Sequence, residues 1–212
     1  QWAHNYVDQP DRHGSLTSGY GAEAYPNMTR MDWAVELWNW FEYYLKDKGE
    51  EPEAHVQIQT NDGKWHVEET WPPEDLSWWQ IGLDTASVQG NWVSATTATT
   101  FVLPPTEEEI HISGLARLHL SVSPGFCNGG QIFATMWDET TGLRLGHATM
   151  VLRYREGGHD AQVTLAYQTY LMQMECNPLD VLVPAGHGIS IELTDTGGDY
   201  LPSTCAAVGM AV

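Results

Sequence analysis

Ala116-Arg117-Leu118-His119-Leu120-Ser121-Val122 sets four apolar side chains in strict alternation with three polar ones. Successive side chains of a strand point to opposite faces, so a period of two puts Ala116, Leu118, Leu120 and Val122 on one face and leaves Arg117, His119 and Ser121 for the other. A helix would scatter the same residues around its axis. The pattern recurs upstream, where Val56 and Ile58 alternate with His55, Gln57 and Gln59. There the Asn61-Asp62-Gly63 turn leads back into Trp65 and Val67, which predicts a hairpin. Downstream, residues 131–137, 146–154, 161–167 and 188–193 read as further strands, each bounded by turn-forming residues. Many strands with no helix between them predict a mainly β protein, a two-layer sandwich, with a jelly roll as the architecture that suits the length.

The period changes before residue 50. Over residues 29–45, Trp33, Leu37, Trp40, Phe41, Tyr44 and Leu45 recur at steps of three and four, which places them on one face of a helix. Thr29 is positioned as the N-cap and Asp32 as the acidic partner three residues on, while Lys46 and Lys48 suit the C-terminal end and Gly49 supplies a left-handed stop. Pro52 in the acidic stretch that follows marks a boundary, dividing the chain into residues 1–51 and 52–212.

A chain of 212 residues with 42% hydrophobic content buries one good core and a small appendage. Its 28 acidic residues outnumber 9 basic ones, for a formal charge of -19. Such a field repels phosphate backbones and anionic lipids, so neither nucleic acid nor membrane is an expected partner. No apolar run approaches the roughly 20 residues of a membrane-spanning helix, and the opening QWAHNYVDQP lacks the basic and apolar regions of a signal peptide. With Lys46, Lys48 and Lys64 as the only lysines, the surface suits a halophilic source as well as an ordinary acidic protein.

The nine histidines (His4, His13, His55, His66, His111, His119, His147, His159 and His187) form no HxxxH or HxH pair, so no metal and no cofactor is expected. Cys127, Cys176 and Cys205 lack CxxC spacing; they read as buried thiols, with room for one disulfide at most. Asp195-Thr196-Gly197-Gly198-Asp199 reads as a turn rather than a calcium loop, and Asn27-Met28-Thr29 as the approach to a helix cap rather than a glycosylation site. Trp65, Trp71, Trp78, Trp79, Trp92 and Trp137 crowd the β-rich part, either filling its core or presenting platforms for sugars. The sequence contains no GxSxG elbow, no glycine-rich phosphate loop and no HExxH.

Several segments nonetheless form an ordered set. They are Trp2-Ala3-His4, the helix end Tyr44-Leu45-Lys46-Asp47-Lys48-Gly49, the strand and turn from Val56 to Trp65, Trp71-Pro72-Pro73, Leu152-Arg153-Tyr154-Arg155-Glu156, and Leu182-Val183-Pro184-Ala185-Gly186-His187. In this order and spacing they resemble the X-prolyl dipeptidyl peptidase and cocaine esterase family of serine hydrolases, over essentially the whole chain. The resemblance implies an upstream α/β-hydrolase domain that carries the serine nucleophile and the aspartate. It implies that residues 1–51 are the tail of that domain and residues 52–212 a C-terminal, galactose-binding-like jelly roll. It implies that His4, in its Trp-x-His setting, is the catalytic histidine, acting as general base and then general acid on a peptide or ester. The competing expectation is a non-catalytic sandwich module that binds carbohydrate or protein, including a second copy of itself.

Overall fold

The computed structural model describes residues 33–53, 55–62, 64–82, 99–124, 130–194 and 208–210. Helix α1 spans Trp33–Lys46, so the expected cap at Thr29 lies outside the described residues. The helix closes on Asp47, two residues before the expected stop at Gly49, which is left-handed as well. Asp47 and Gly49 take φ of 53° and 85°, the Asp47 N–H donates to the Tyr43 carbonyl at 3.0 Å, and the Lys48 N–H to that of Glu42 at 3.0 Å. A Cβ on Gly49 would meet nothing, so the left-handed backbone alone favours glycine there. Lys46 pairs with Glu42 one turn back and lies over the Trp38 ring at 5.1 Å.

Strands β1 (Val56–Gln59) and β2 (Trp65–Glu68) form the expected hairpin. Asp62 organises its turn, accepting from the Lys64 N–H at 3.1 Å and from the Thr60 hydroxyl, with the Lys64 ammonium 2.6 Å away. These contacts, the Lys64 side chain first, hold the Asp62 carboxyl far below the usual carboxylate range. The register pairs Val56 with Glu68 and Ile58 with His66. The apolar residues of the two strands therefore fall on opposite faces, and Trp65 and Val67 are exposed.

The chain divides into two compact units, Gln1–Leu76 and Ser77–Val212. The second is built of antiparallel strands: β3 (Thr99–Val102), β4 (Ile110–Gly114), β5 (Arg117–Pro124), β6 (Gln131–Asp138), β7 (Leu143–Val151), β8 (Tyr170–Glu175), β9 (Leu179–Val183), β10 (Ile189–Thr194) and β11 (Val208–Met210). One sheet has the order β3-β10-β6-β7; the others are β11-β5-β8 and β4-β9. The last two are nearly continuous. Arg117 pairs with Glu175 and Gly114 with Leu179, and between them the Ala116 carbonyl accepts the Cys176 N–H at 2.9 Å. One long ribbon thus slips by a single residue, with Gly114 at φ 98° on the slip.

The alternation of the opening stretch holds. Leu120 and Val122 of β5 and Met172 and Met174 of β8 bury against Phe101, Ile132, Ala134, Ala148 and Leu193 of the four-stranded sheet. A second cluster joins Val181 and Val183 of β9 to Leu103, Leu145 and Ile189. Gly146 permits this approach, because a Cβ there would fall within contact distance of the Leu179 side chain. The described residues are mainly β, with antiparallel sheets and one α-helix.

Two expected strands differ. That over 146–154 ends at Val151, after which Leu152–Tyr154 form a 3-10 turn that buries Leu152. Residues 161–167 are not a strand: Thr164 is buried while Val163, Leu165 and Tyr167 face outward. Their backbone finds other partners. The Gln162 N–H donates to the Arg153 carbonyl at 2.6 Å, the Leu165 N–H to the Tyr170 hydroxyl at 2.8 Å, and the Arg155 guanidinium reaches the Val163 carbonyl at 3.5 Å. Arg155 also stacks over the Tyr170 ring at 4.3 Å, so the Leu152-to-Glu156 segment serves as a clip.

Candidate functional site

The turn at residues 184–188, between β9 and β10, is tied to Thr106. The Thr106 N–H donates to the His187 carbonyl at 3.0 Å, its hydroxyl to the Pro184 carbonyl at 3.0 Å, and the Gly186 N–H to the Thr106 carbonyl at 2.7 Å. Gly186, at φ 84°, lets the chain reverse. The turn sets His187 Nδ1 2.8 Å from Asp138 Oδ2 at the end of β6, where the carboxylate side chain is 5% exposed. Asp138 Oδ1 accepts from the N–H groups of Thr140 at 2.9 Å and Thr141 at 3.2 Å. Burial pushes the Asp138 pKa up, but the bonds from His187, Thr141 and Thr140 outweigh it and hold the carboxyl below its ordinary value.

Beside this pair lies a cavity of about 340 Å³ lined by Thr100, Trp137, Asp138, Glu139, Gly142, Ser190 and Glu192. Trp137 Nε1 donates to Glu192 Oε2 at 3.1 Å, and the Ser190 hydroxyl donates to Glu139. The wall therefore offers carboxylate oxygens fixed by indole and hydroxyl donors. Ser190 is not set up as an acyl-transfer nucleophile, because its hydroxyl bonds to a carboxylate and not to an imidazole.

A second histidine and carboxylate meet across β4 and β9. His111 Nε2 lies 2.8 Å from Asp180 Oδ1, and the Ser113 hydroxyl donates to the same oxygen at 2.8 Å. The residue types are those of a hydrolytic triad, but their order is not. A triad places the imidazole between hydroxyl and carboxylate, whereas here the carboxylate stands between the other two. The trio cross-links two strands.

His4, the expected catalytic residue, lies outside the described residues, as do Cys127, Cys205, Trp92, residues 27–29 and residues 195–199. Of the tryptophans expected as platforms, Trp137 lines the cavity, Trp78 and Trp79 are exposed in the second unit, and Trp65 and Trp71 belong to the first. Several histidines have found partners beyond the two carboxylate pairs. His147 stacks on Phe133 at 5.6 Å and lies 3.1 Å from the Asn177 amide, and His55 is 3.3 Å from Glu53. Among the described residues no group of three or more His, Cys, Asp or Glu is arranged to hold a metal ion, and no helix is long and apolar enough to cross a membrane. Burial pushes the Cys176 thiol up to about 11.

The His187–Asp138 pair escaped the sequence reading. A local signal existed, since Asp138-Glu139-Thr140-Thr141-Gly142 is a run in which an aspartate closes on its own backbone. Nothing local paired it with a histidine 49 residues away.

No protein-family model matches the sequence, nor does any curated protein. Solved structures resemble it at low identity. A CocE/NonD family hydrolase from Staphylococcus aureus superposes with a TM-score of 0.56 at 13% identity, over 87% of this chain and 43% of its own. An aminopeptidase from a marine sediment archaeon, Thaumarchaeota archaeon, gives 0.55 at 12% identity, over 86% of this chain and 44% of its own. An α-amino acid ester hydrolase labelled with selenomethionine gives 0.61 at 15% identity, over 99% and 44%. The likeness is one of fold, and this chain spans less than half the length of each.

Proposed function

We propose that this chain is the C-terminal part of a serine hydrolase that cleaves an amide or ester bond by acyl transfer. The observation that carries the reading is the match of 86 to 99% of this chain to 43 to 44% of a CocE/NonD hydrolase, an aminopeptidase and an amino acid ester hydrolase. The motif order from Trp2-Ala3-His4 to Leu182–His187 supports it from the sequence side. On this reading residues 1–51 complete an α/β-hydrolase domain, and residues 52–212 are its jelly-roll companion.

An upstream serine would attack the substrate carbonyl while His4 takes its proton. His4 would then pass that proton to the departing amine or alcohol, leaving an acyl-enzyme that water cleaves by the same exchange in reverse. An upstream aspartate would fix the imidazole tautomer and stabilise the imidazolium. The substrate class is a peptide or ester, including dipeptides that end in proline, and no cofactor is called for.

The test is a protein in which the upstream portion is joined to this chain. A fluorophosphonate should label one serine, and His4→Ala should lower turnover by roughly 10³-fold or more while the sandwich keeps its melting temperature. A His4→Ala protein with undiminished turnover would overturn the assignment.

A further inference from the structure

The outward face of β5 and β8 carries an arrangement that the hydrolase reading does not use. Register pairs Arg117 with Glu175 and His119 with Gln173, so the four share one face, opposite the buried Leu120, Met172 and Met174. Arg117 Nε donates to Glu175 Oε1 at 3.0 Å, and Gln173 Nε2 approaches the same oxygen at 3.5 Å. The Arg117 guanidinium also lies 5.0 Å from the ring centroid of Trp78, an indole that remains 74% exposed. Trp79, next in sequence, is exposed as well.

An indole open to water has a hydration cost, and here it is held in place by a cation that is itself fixed by a carboxylate. The electrostatics narrow the choice of ligand. On a chain of net charge -19, the one arginine of this face is matched by the glutamate opposite it. A charged ligand finds no counterfield in it, whereas an uncharged polyhydroxylated one finds what it needs. The apolar C–H face of a pyranose stacks on the flat indole, and the amide, carboxylate and guanidinium beside it bond to equatorial hydroxyls. We infer that Trp78, with Arg117, Gln173 and Glu175, forms a binding surface for a neutral glycan. The inference stands independently of the proposed hydrolase activity.

The test is affinity electrophoresis of the full chain through native gels containing hydroxyethylcellulose, glucomannan or xylan. Retardation by at least one polysaccharide is expected. Trp78→Ala should weaken it about tenfold, the scale of a lost aromatic platform. Gln173→Ala should weaken it less, and Trp38→Ala, which removes an exposed indole from α1, should leave it unchanged. Absence of retardation in all three gels would overturn the inference, as would equal retardation of the Trp78→Ala protein. Sedimentation showing a dimer that Trp78→Ala dissolves would also overturn it, by assigning the indole to a second copy of the chain.

Discussion

The apolar stripes of α1 and β5 follow their periods equally well, yet they end in different surroundings. Leu120 and Val122 are 2% and 0% exposed, whereas Leu37, Trp40 and Phe41 retain 46%, 45% and 41% of their exposure. Period decides which secondary structure forms, and burial depends on what lies opposite. The β5 stripe meets β6, β7 and β10; in α1, Trp40 meets Phe41 edge to face and Tyr44 at a tilt, with centroids 5.2 and 4.8 Å apart, and the stripe stays open. In the proposed hydrolase the upstream domain would cover this stripe.

The contrast is sharpest in Leu120→Ala, which should cost about 2–5 kcal/mol in urea unfolding because it leaves a cavity between two layers. Gly146→Ala should follow at roughly 1–3 kcal/mol, since the new methyl displaces Leu179 in a packed strand pair. Asp138→Asn should cost a comparable or smaller amount near neutrality, about 1–3 kcal/mol, by weakening the bonds that fix the turn at residues 184–188. Its pH signature is specific. The folded Asp138 carboxyl ionises at lower pH than the unfolded one, so its contribution is complete above the ordinary carboxylate range and drains away as pH falls toward the folded value. Asp138→Asn should therefore flatten part of the acid limb of a stability-versus-pH curve. The smallest effect belongs to Leu37→Ser on α1, within about 0.5 kcal/mol. A loss as large as that of Leu120→Ala would mean that the α1 stripe is buried in solution, and the comparison would fail.

How much of this was legible follows the same division between local and distant causes. The β1–β2 hairpin and the alternation of β5 rest on neighbours within a few residues, and the structure reproduces them, whereas the left-handed stop of α1 falls on Asp47, two residues before the expected Gly49. Strand β9 escaped because Val181-Leu182-Val183 is a continuous apolar run without alternation, though Val181 and Val183 fill the second cluster. Residues 161–167 misled because Val163, Leu165 and Tyr167 alternate as a buried strand would, while Arg155 and Tyr170 fasten their backbone with the apolar side chains outward. The two histidine–carboxylate pairs join residues 49 and 69 positions apart, a distance no local pattern spans. His4 was read from a motif, and its role is a matter for the joined protein.

The slipped ribbon has a consequence for how the chain comes to be folded. Its partners are far apart in sequence, Arg117 and Glu175 by 58 positions and His111 and Asp180 by 69. During synthesis β4 and β5 emerge long before β8 and β9 can pair with them, and closing such wide loops makes assembly slow. Throughout that interval the Leu118-Leu120-Val122 face has no opposite layer to cover it, and a net charge of -19 makes nascent copies repel one another.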